Sequence, residues 1–248
     1  DSCMSQAPRP VSPATAVRKP RQIYWVTGTD TDVGKTTVTA ALLARASAQG
    51  HRCYGIKPVS AGCIEQAGEW LSADAQAIDA QASVKLHPDL LAPIKLPLPV
   101  SPHLAAADAG VRLSTSRIVG VVRGGLSTPA SHILIEGAGG WRVPINERET
   151  LADVARQLQY PVIVVVGIRL GCLNHALLTV DAIVADGLTI AGWVANICSP
   201  DVLLADAQIE TLKQRFHAPC LGVIPYDQQA CAEQRAALIR WPDESHAS

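Results

Sequence analysis

The residues best suited to chemistry lie between positions 28 and 37, Gly-Thr-Asp-Thr-Asp-Val-Gly-Lys-Thr-Thr. Glycines at 28 and 34 let a backbone come close to an anion, and N–H groups of a loop and a following helix start point at it. Lys35 is placed to reach outer phosphates, and the Thr36 hydroxyl to hold Mg²⁺. A β-branched and aromatic run, Ile23 to Thr27, precedes the loop, and a helical pattern opens at Lys35. Strand, glycine loop and helix in that order make a phosphate-binding loop. Five residues separate Gly28 from Gly34-Lys35-Thr36, where the usual pattern has four. The competing reading is a chance Gly-Lys-Thr in a βα turn, and the strand before and helix after weigh against it.

Other candidates stand just past predicted strands, the edge at which open α/β sheets bind ligands. Lys57 follows the strand Arg52 to Ile56, ahead of Pro58, Ser60 and Gly62. Glu136 ends the strand His132 to Ile135 and opens Gly137-Ala138-Gly139-Gly140, where an acid can meet the metal of a loop-bound nucleotide. Asp74 opens the predicted helix Ala73 to Gln81, and taken alone a first-turn acid favouring the helix dipole is its preferred reading. Arg169 to His175 forms a donor-rich helix entry, a second anion site. Cys172 has only His175 near it as a base, which leaves a Cys/His nucleophile as a weaker reading than a packing or capping histidine.

The elements that must position these residues alternate along the chain. A helix is predicted from Lys35 to Gly50. Residues 63–72 read as a loop and 86–102, with five prolines, as a long irregular connection. Helices follow near 103–109, 114–125 and 151–158. Pro161 to Gly167 is apolar without alternation, as a buried parallel strand requires. A helix to Asp186, a strand from Thr189 to Asn196, a helix over 201–217 and a strand from Pro219 to Ile224 complete the pattern. The fold class is α/β, a doubly wound, mostly parallel sheet with helices on both faces, of the P-loop NTPase type. Residues 22–226 form one domain, and 227–248 a polar segment packing on it or trailing from it, with a loose end at Glu244.

The 248 residues suffice for one large domain. A hydrophobic content of 48% with 17% charged residues excludes a disordered chain. A formal charge of −1 provides no field for nucleic acid or anionic lipid, and apolar runs are strand-sized, so neither nucleic acid nor membrane is an expected partner. Seven scattered cysteines without a C-x-x-C pair fit reduced thiols in a cytoplasmic protein, rather than a zinc site or disulfide framework. Residues 1–21, rich in Pro, Ser, Ala and Arg, read as a flexible extension without the apolar core of a secretory signal. Their Arg and Ser leave a transit peptide open, against which the prolines argue. Met4, the sole methionine, reads as the natural start, or the chain as a processed fragment.

Several stretches together resemble the dethiobiotin synthetases. They are G-T-D-T-D-V-G-K-T (28–36), G-I-K-P-V (55–59), S-A-D-A around Asp74, S-P-H (101–103), E-G-A-G-G-W (136–141), G-C-L-N-H-A (171–176) and G-W-V-A-N (192–196). The resemblance covers about residues 23–226 and includes the long loop spacing. It implies that 7,8-diaminopelargonate, CO₂ and MgATP give dethiobiotin, ADP and phosphate through a carbamate and a carbamic–phosphoric anhydride. It further implies Lys35 and Lys57 as cations at the γ-phosphate and carbamate, and Thr31 beside the diamine. Thr36, Asp74 and Glu136 would form the Mg²⁺ shell, and Asp32, Val33, Gly34, Thr37, Gly137, Ala138 and Gly139 would line the nucleotide. Asn196, Pro225 and Tyr226 would contact adenine. Gly171, Cys172, Leu173 and Asn174 would bind the substrate carboxylate across a homodimer interface. One departure stands out: the family often reads Lys-Pro-Val-Ala-Ser-Gly, and here the order is Ser60-Ala61-Gly62. Either Ser60 supplies the substrate contact from the adjacent position or the contact is lost.

Two other classes compete. A partitioning or regulatory ATPase switch often carries an extra lysine early in the loop, and here Thr29 to Asp32 has none. An amidotransferase-like synthetase would need a glutaminase domain, for which the chain is too short. Asn196 is followed by Ile-Cys-Ser, not by the Lys-x-Asp of guanine readers, which favours ATP.

Overall fold

Runs of Val, Ile and aromatic residues too apolar to face water on either side build the centre of the molecule. The computed structural model describes residues 20–246. Strand β1 (Gln22–Gly28) runs through the glycine loop into α1 (Lys35–Ala48), and β2 (Cys53–Ile56) returns to the sheet. Short strands β3 (Val59–Ser60), β4 (Ile64–Gln66) and β5 (Glu69–Leu71) lead to α2 (Ala73–Gln81). Then come α3 (Pro88–Leu91), β6 (Ile94–Lys95), α4 (Pro102–Asp108) and α5 (Thr115–Gly125), before β7 (His132–Glu136) and α6 (Leu151–Leu158). Strand β8 (Val162–Ile168), α7 (Cys172–Ala185), β9 (Ile190–Ile197), α8 (Ala205–Arg215) and β10 (Cys220–Ile224) alternate regularly. Helix α9 (Ala232–Ala236) and a 3₁₀ turn (Pro242–His246) follow.

Six strands form one sheet in the order β10-β9-β8-β1-β7-β2, and every pairing in it is parallel. Side chains alternate across a strand, so each strand feeds two cores. Trp25, Ile133, Ile135, Val162, Val164 and Val166 pack on the face covered by α5 to α8. Tyr24, Val26, Leu134, Ile163, Val165 and Val194 pack on the opposite face with Val38, Leu42 and Leu43 of α1 and Ile78 of α2. The fold class read from sequence is the one observed, and β8 is buried along its whole length.

Register sets up the site. Ile56 of β2 sits opposite Ile135 of β7, so the next residues, Lys57 and Glu136, emerge side by side. Val26 of β1 pairs with Glu136, and Gly28 with Val165 of β8, which brings the glycine loop to the same edge.

The structure departs from the sequence reading in several places. Residues 63–72 are not a plain loop, because Ile64, Glu65 and Gln66 pair antiparallel with Leu71, Trp70 and Glu69. The connecting Ala67 and Gly68 both have positive φ, 52° and 81°, the two-residue turn that suits a hairpin's twist. The proline-rich stretch 86–102 is not wholly irregular either: it holds α3 and β6, whose Ile94 and Lys95 pair with Val59 and Ser60. Arg21, assigned to the extension, donates to the Leu126 and Thr128 carbonyls at 2.9 and 3.2 Å. At the other end, Trp241 is fully buried and its Nε1 donates to the Leu42 carbonyl at 2.8 Å. Glu244, expected at a loose end, makes a forked pair with Arg45, Nε to Oε2 at 2.8 Å and Nη2 to Oε1 at 2.9 Å. That outer cover explains why α1 is buried on every side from Val38 to Ala44. The readings of Met4 and of residues 1–19 lie outside the described residues.

Candidate active site

Lys57 is the centre of the charged cluster. Its ammonium donates to Glu136 Oε1 at 2.8 Å and the Gly137 carbonyl at 3.1 Å, and pairs with Asp74 Oδ2 at 2.9 Å. Burial pulls this lysine's pKa down, but Glu136 and Asp74 beside it more than reverse the effect, and the net shift is upward. The two carboxylates therefore favour the charged form of Lys57. Burial pushes the Asp74 carboxyl up, yet Lys57, helped by the Thr36 hydroxyl and Lys35, brings it below the usual range. Asp74 stands just after Ser72, whose hydroxyl caps α2 by accepting from the Ala75 N–H at 3.2 Å. The Thr36 hydroxyl donates to Glu136 Oε1 at 2.7 Å. Glu136 is wholly buried, and its Oε2 has no hydrogen-bond partner among the described residues.

The glycine loop is tied down from several sides. The Thr29 N–H donates to the Val165 carbonyl at 3.0 Å. The Asp30 carboxylate accepts from the Thr31 N–H at 2.8 Å and pairs with Arg169 at 2.8 Å. Gly34, at φ 96°, forms the entry to α1, and a Cβ there would lie 2.2 Å from Asn196 Nδ2. Asn196 in turn donates to the Val33 carbonyl at 2.8 Å. Lys35 Nζ reaches back to the Asp30 carbonyl at 3.3 Å. Burial, then repulsion from Lys57, lower the Lys35 pKa to about 8. Its charge is thus lost as pH rises through about 8 in the free protein, whereas a bound polyphosphate would hold the proton. We predict that kcat/KM for ATP falls above about pH 8 while kcat at saturating ATP persists to higher pH. A decline starting only near the ordinary lysine value of 10.5 would show that Lys35 is not depressed.

The charged cluster and part of the loop line a cleft of about 860 Å³, while Asn196, Asp30 and Arg169 brace the loop from off its wall. Of the residues singled out in the sequence, it gathers Thr31, Asp32, Gly34, Lys35, Thr36, Thr37, Lys57, Asp74, Glu136, Ala138 and Gly139. Val33 is buried beneath the loop, and Gly137 contributes its carbonyl to Lys57 from outside the wall. Ser60 is 2% exposed, off the wall, with its hydroxyl unpartnered among the described residues, while Ala61 lines the cleft. Adjacent residues of an extended chain face opposite ways, so both cannot serve the same wall. Pro225 and Tyr226 are exposed beyond the end of β10.

Gly171, Cys172, Leu173 and Asn174 do not line the cleft of their own chain. The Cys172 N–H already donates to the Arg169 carbonyl at 3.0 Å, which leaves the Leu173 and Asn174 N–H groups as the donors at this helix start. The Cys172 thiol is buried and donates to Gln208 Oε1 at 3.1 Å, and His175 is exposed, so no Cys/His pair forms. The six described cysteines are all free thiols.

Sequence reasoning missed Ala61, Pro99, Val100, Arg142, Val143 and Pro144, all of which line the cleft. It also missed the Arg169–Asp30 brace, a contact between residues 139 apart that no local pattern reveals. Ser101 and Pro102, likewise on the wall, belong to the S-P-H stretch already quoted, and that was a usable signal.

A parallel sheet with a glycine loop, lysine and threonine at one strand's end and an acid at its neighbour's defines a P-loop NTPase. The family described as AAA domain matches residues 22–234. Among solved structures, the septum site-determining protein MinD of Pyrococcus horikoshii superposes with a TM-score of 0.53 at 17% identity, covering 88% of this chain and 93% of that one. The signal recognition particle receptor FtsY of Elizabethkingia anophelis gives 0.53 at 13% identity over 90% of this chain, which spans 62% of that longer protein. At such identities the likeness shows the fold alone. Sequence goes further. The ATP-dependent dethiobiotin synthetase of Aromatoleum aromaticum is 48% identical over 219 residues, 88% of this chain and 97% of that protein. That of Cellvibrio japonicus is 45% identical over 219 residues, 88% and 96% of the two chains. The chain belongs to the dethiobiotin synthetase family.

Proposed function

We propose that the chain closes a ureido ring on 7,8-diaminopelargonate with CO₂ and ATP, giving dethiobiotin, ADP and phosphate. The observation that carries this reading is the meeting of Lys35, Thr36, Lys57, Asp74 and Glu136 in one cleft. One substrate amine adds to CO₂ and loses a proton, forming a carbamate. A carbamate oxygen attacks the γ-phosphorus and ADP leaves. The second amine then attacks the carbamoyl carbon, expels phosphate and gives up a proton to solvent or to the departing phosphate. Two anions must meet in the middle step, so fixed cations at the meeting point lower the barrier. Lys57, kept protonated by its two carboxylates, is suited to that point, and Lys35 to the outer phosphates. Thr31, on the wall beside Gly139, is the candidate diamine contact.

The donor set fits Mg²⁺. The unpartnered Glu136 Oε2, the Thr36 hydroxyl and Asp74 are hard oxygens, and Mg²⁺ is commonly held by one or two carboxylates plus phosphates and water. Bound there, Mg²⁺ would neutralise charge on the β- and γ-phosphates. Asn196, fixed on the loop, and the Pro225–Tyr226 turn are the candidate adenine contacts.

A homodimer accounts for two further features. Leu170, Leu178 and Val184, on α7 or beside its start, are 97%, 60% and 60% exposed, apolar side chains that a second copy would cover. The donors at the start of α7 are outside their own cleft and fit the carboxylate of a substrate held by the partner. Free thiols and small-molecule substrates suit a cytoplasmic enzyme. Among the described residues no helix is long and apolar enough to cross a membrane.

Purified protein given the diamine, bicarbonate and MgATP should form a product of dethiobiotin's mass, with ADP release dependent on both diamine and CO₂. ATP hydrolysis indifferent to the diamine would instead support the switch-ATPase reading.

A further inference from the structure

The glycine loop after β7 does not end its work at Gly139. Trp141 and Arg142 follow it, and both are gripped by one carboxylate at the far end of α7. Asp186 Oδ2 accepts from Trp141 Nε1 at 2.7 Å, and Asp186 Oδ1 pairs with Arg142 Nη2 at 3.2 Å. Asp186 is the C-cap residue of α7, where the helix already presents its negative end. An acid is disfavoured there unless donors compensate it. Here the indole N–H and the guanidinium do so, and the Asp186 side chain is only 10% exposed. The arrangement spends an awkward acid on holding two residues of the cleft loop in place.

The grip uses one guanidinium nitrogen. Arg142 is 55% exposed, lines the cleft, and has no other partner among the described residues. A guanidinium carries five N–H donors in a planar fork matched to a carboxylate. The position indicates which anion it serves. Lys35 and Lys57 belong to the cluster of Thr36, Asp74 and Glu136, which Arg142 does not contact among the described residues. Arg142 is continuous in the chain with Val143 and Pro144, which line the same cleft as Val100 and Pro102. Such a wall suits an aliphatic chain, and an anion met there is one that ends an aliphatic chain.

We infer that Arg142 recognises the substrate's carboxylate from within the same subunit, sharing it with the partner's helix start, and that Asp186 is the positioning residue that aims it. This rests on the ureido-ring reading and deepens it: the site selects a diamino acid over a diamine without the acid.

Two substrates and three proteins test it. The substrates are the diamino acid and its analogue with the carboxylate replaced by a hydroxymethyl group; the proteins are wild type, Arg142→Met and Asp186→Asn. Arg142→Met keeps an apolar stem at an exposed position and should fold, as a melting curve will show. Its KM for the acid should rise about tenfold to a hundredfold, the loss of a charge-assisted hydrogen bond, with kcat and the KM for ATP little changed. Its KM for the hydroxymethyl analogue should match wild type. Asp186→Asn should show a smaller rise with the same selectivity, since an amide still accepts from Trp141 but no longer fixes the guanidinium by charge. A purely structural Asp186 would weaken both substrates alike. The inference is overturned if Arg142→Met raises KM equally for acid and analogue. It is also overturned if wild type forms dethiobiotin and Arg142→Met keeps its KM for the acid, a result that leaves the ureido-ring reading standing.

Discussion

Lys57→Ala is expected to lower kcat at least ~100-fold at saturating substrates, the loss typical of deleting a donor that stabilises transition-state charge. It should also destabilise the protein. Lys57 is 4% exposed and is the counter-ion of a wholly buried Glu136. Breaking a buried pair on one side costs about 3–5 kcal/mol, because a charge is left without compensation. Asp74, half exposed, can turn to water, so the lower end of that range applies. For a chain of this size the melting temperature would fall by roughly 6–12 °C. Mg²⁺ should recover part of the loss, and recover more in Lys57→Ala than in wild type, since the freed carboxylates gain a cation that binds only the folded state. Melting curves with and without Mg²⁺, beside single-turnover rates, separate the two effects. Undiminished turnover in the variant would end the role assigned to Lys57. A lower rate without lower stability would show that the buried Lys57–Glu136 pair does not help hold the fold.

The double role expected of Lys57 illustrates what the sequence does and does not disclose. Its type and place after a strand are plain in the chain, as are the loop at 28–36 and the unbroken apolar run of β8. Its burial is not, because that depends on β2 lying beside β7, a neighbour 79 residues away. Strand order is fixed by which faces the helices can cover, and one sequence without its relatives does not show this. Asp74 taken alone reads first as a helix-start acid, and it is the Lys57 contact and its place on the cleft wall that put it in the site. The same limit hid Asp186, whose partners Trp141 and Arg142 lie 45 and 44 residues before it. Other misses are local. Ala67 is an unusual residue for the first position of a two-residue hairpin turn, which prefers Asn, Asp or Gly, so the β4–β5 hairpin looked like a loop. Trp241 sits in a segment whose polar composition suggests a surface, yet its buried ring and the Glu244–Arg45 pair fasten that segment onto α1. Ser60 and Ala61 show how a swap of neighbours matters in an extended chain, where one step moves a hydroxyl from the cleft wall to the interior.

Mixed dimers should restore activity to two subunits that are each defective alone. Lys57→Ala damages a subunit's own cleft and leaves its α7 start intact. Leu173→Pro spares the cleft but removes one of the two donors left at that helix start, at a position in the first turn where proline is otherwise tolerated. Leu173→Pro homodimers should therefore bind ATP normally and need far more diamine. If each site takes its cleft from one chain and its helix start from the other, a heterodimer has one site damaged twice and one site untouched. Heterodimers isolated with two affinity tags should then turn over at about half the wild-type rate at low diamine, where either parent is nearly silent. The wild-type KM should return with that activity, because the surviving site is complete. A different outcome follows if α7 serves the cleft of its own subunit: every site then carries one lesion, and the heterodimer works no better than the mean of its parents. The geometry gives reason to expect recovery. The Leu173 and Asn174 donors lie outside the cleft wall of their own chain, on a helix that exposes Leu178 and Val184, side chains a second copy would cover.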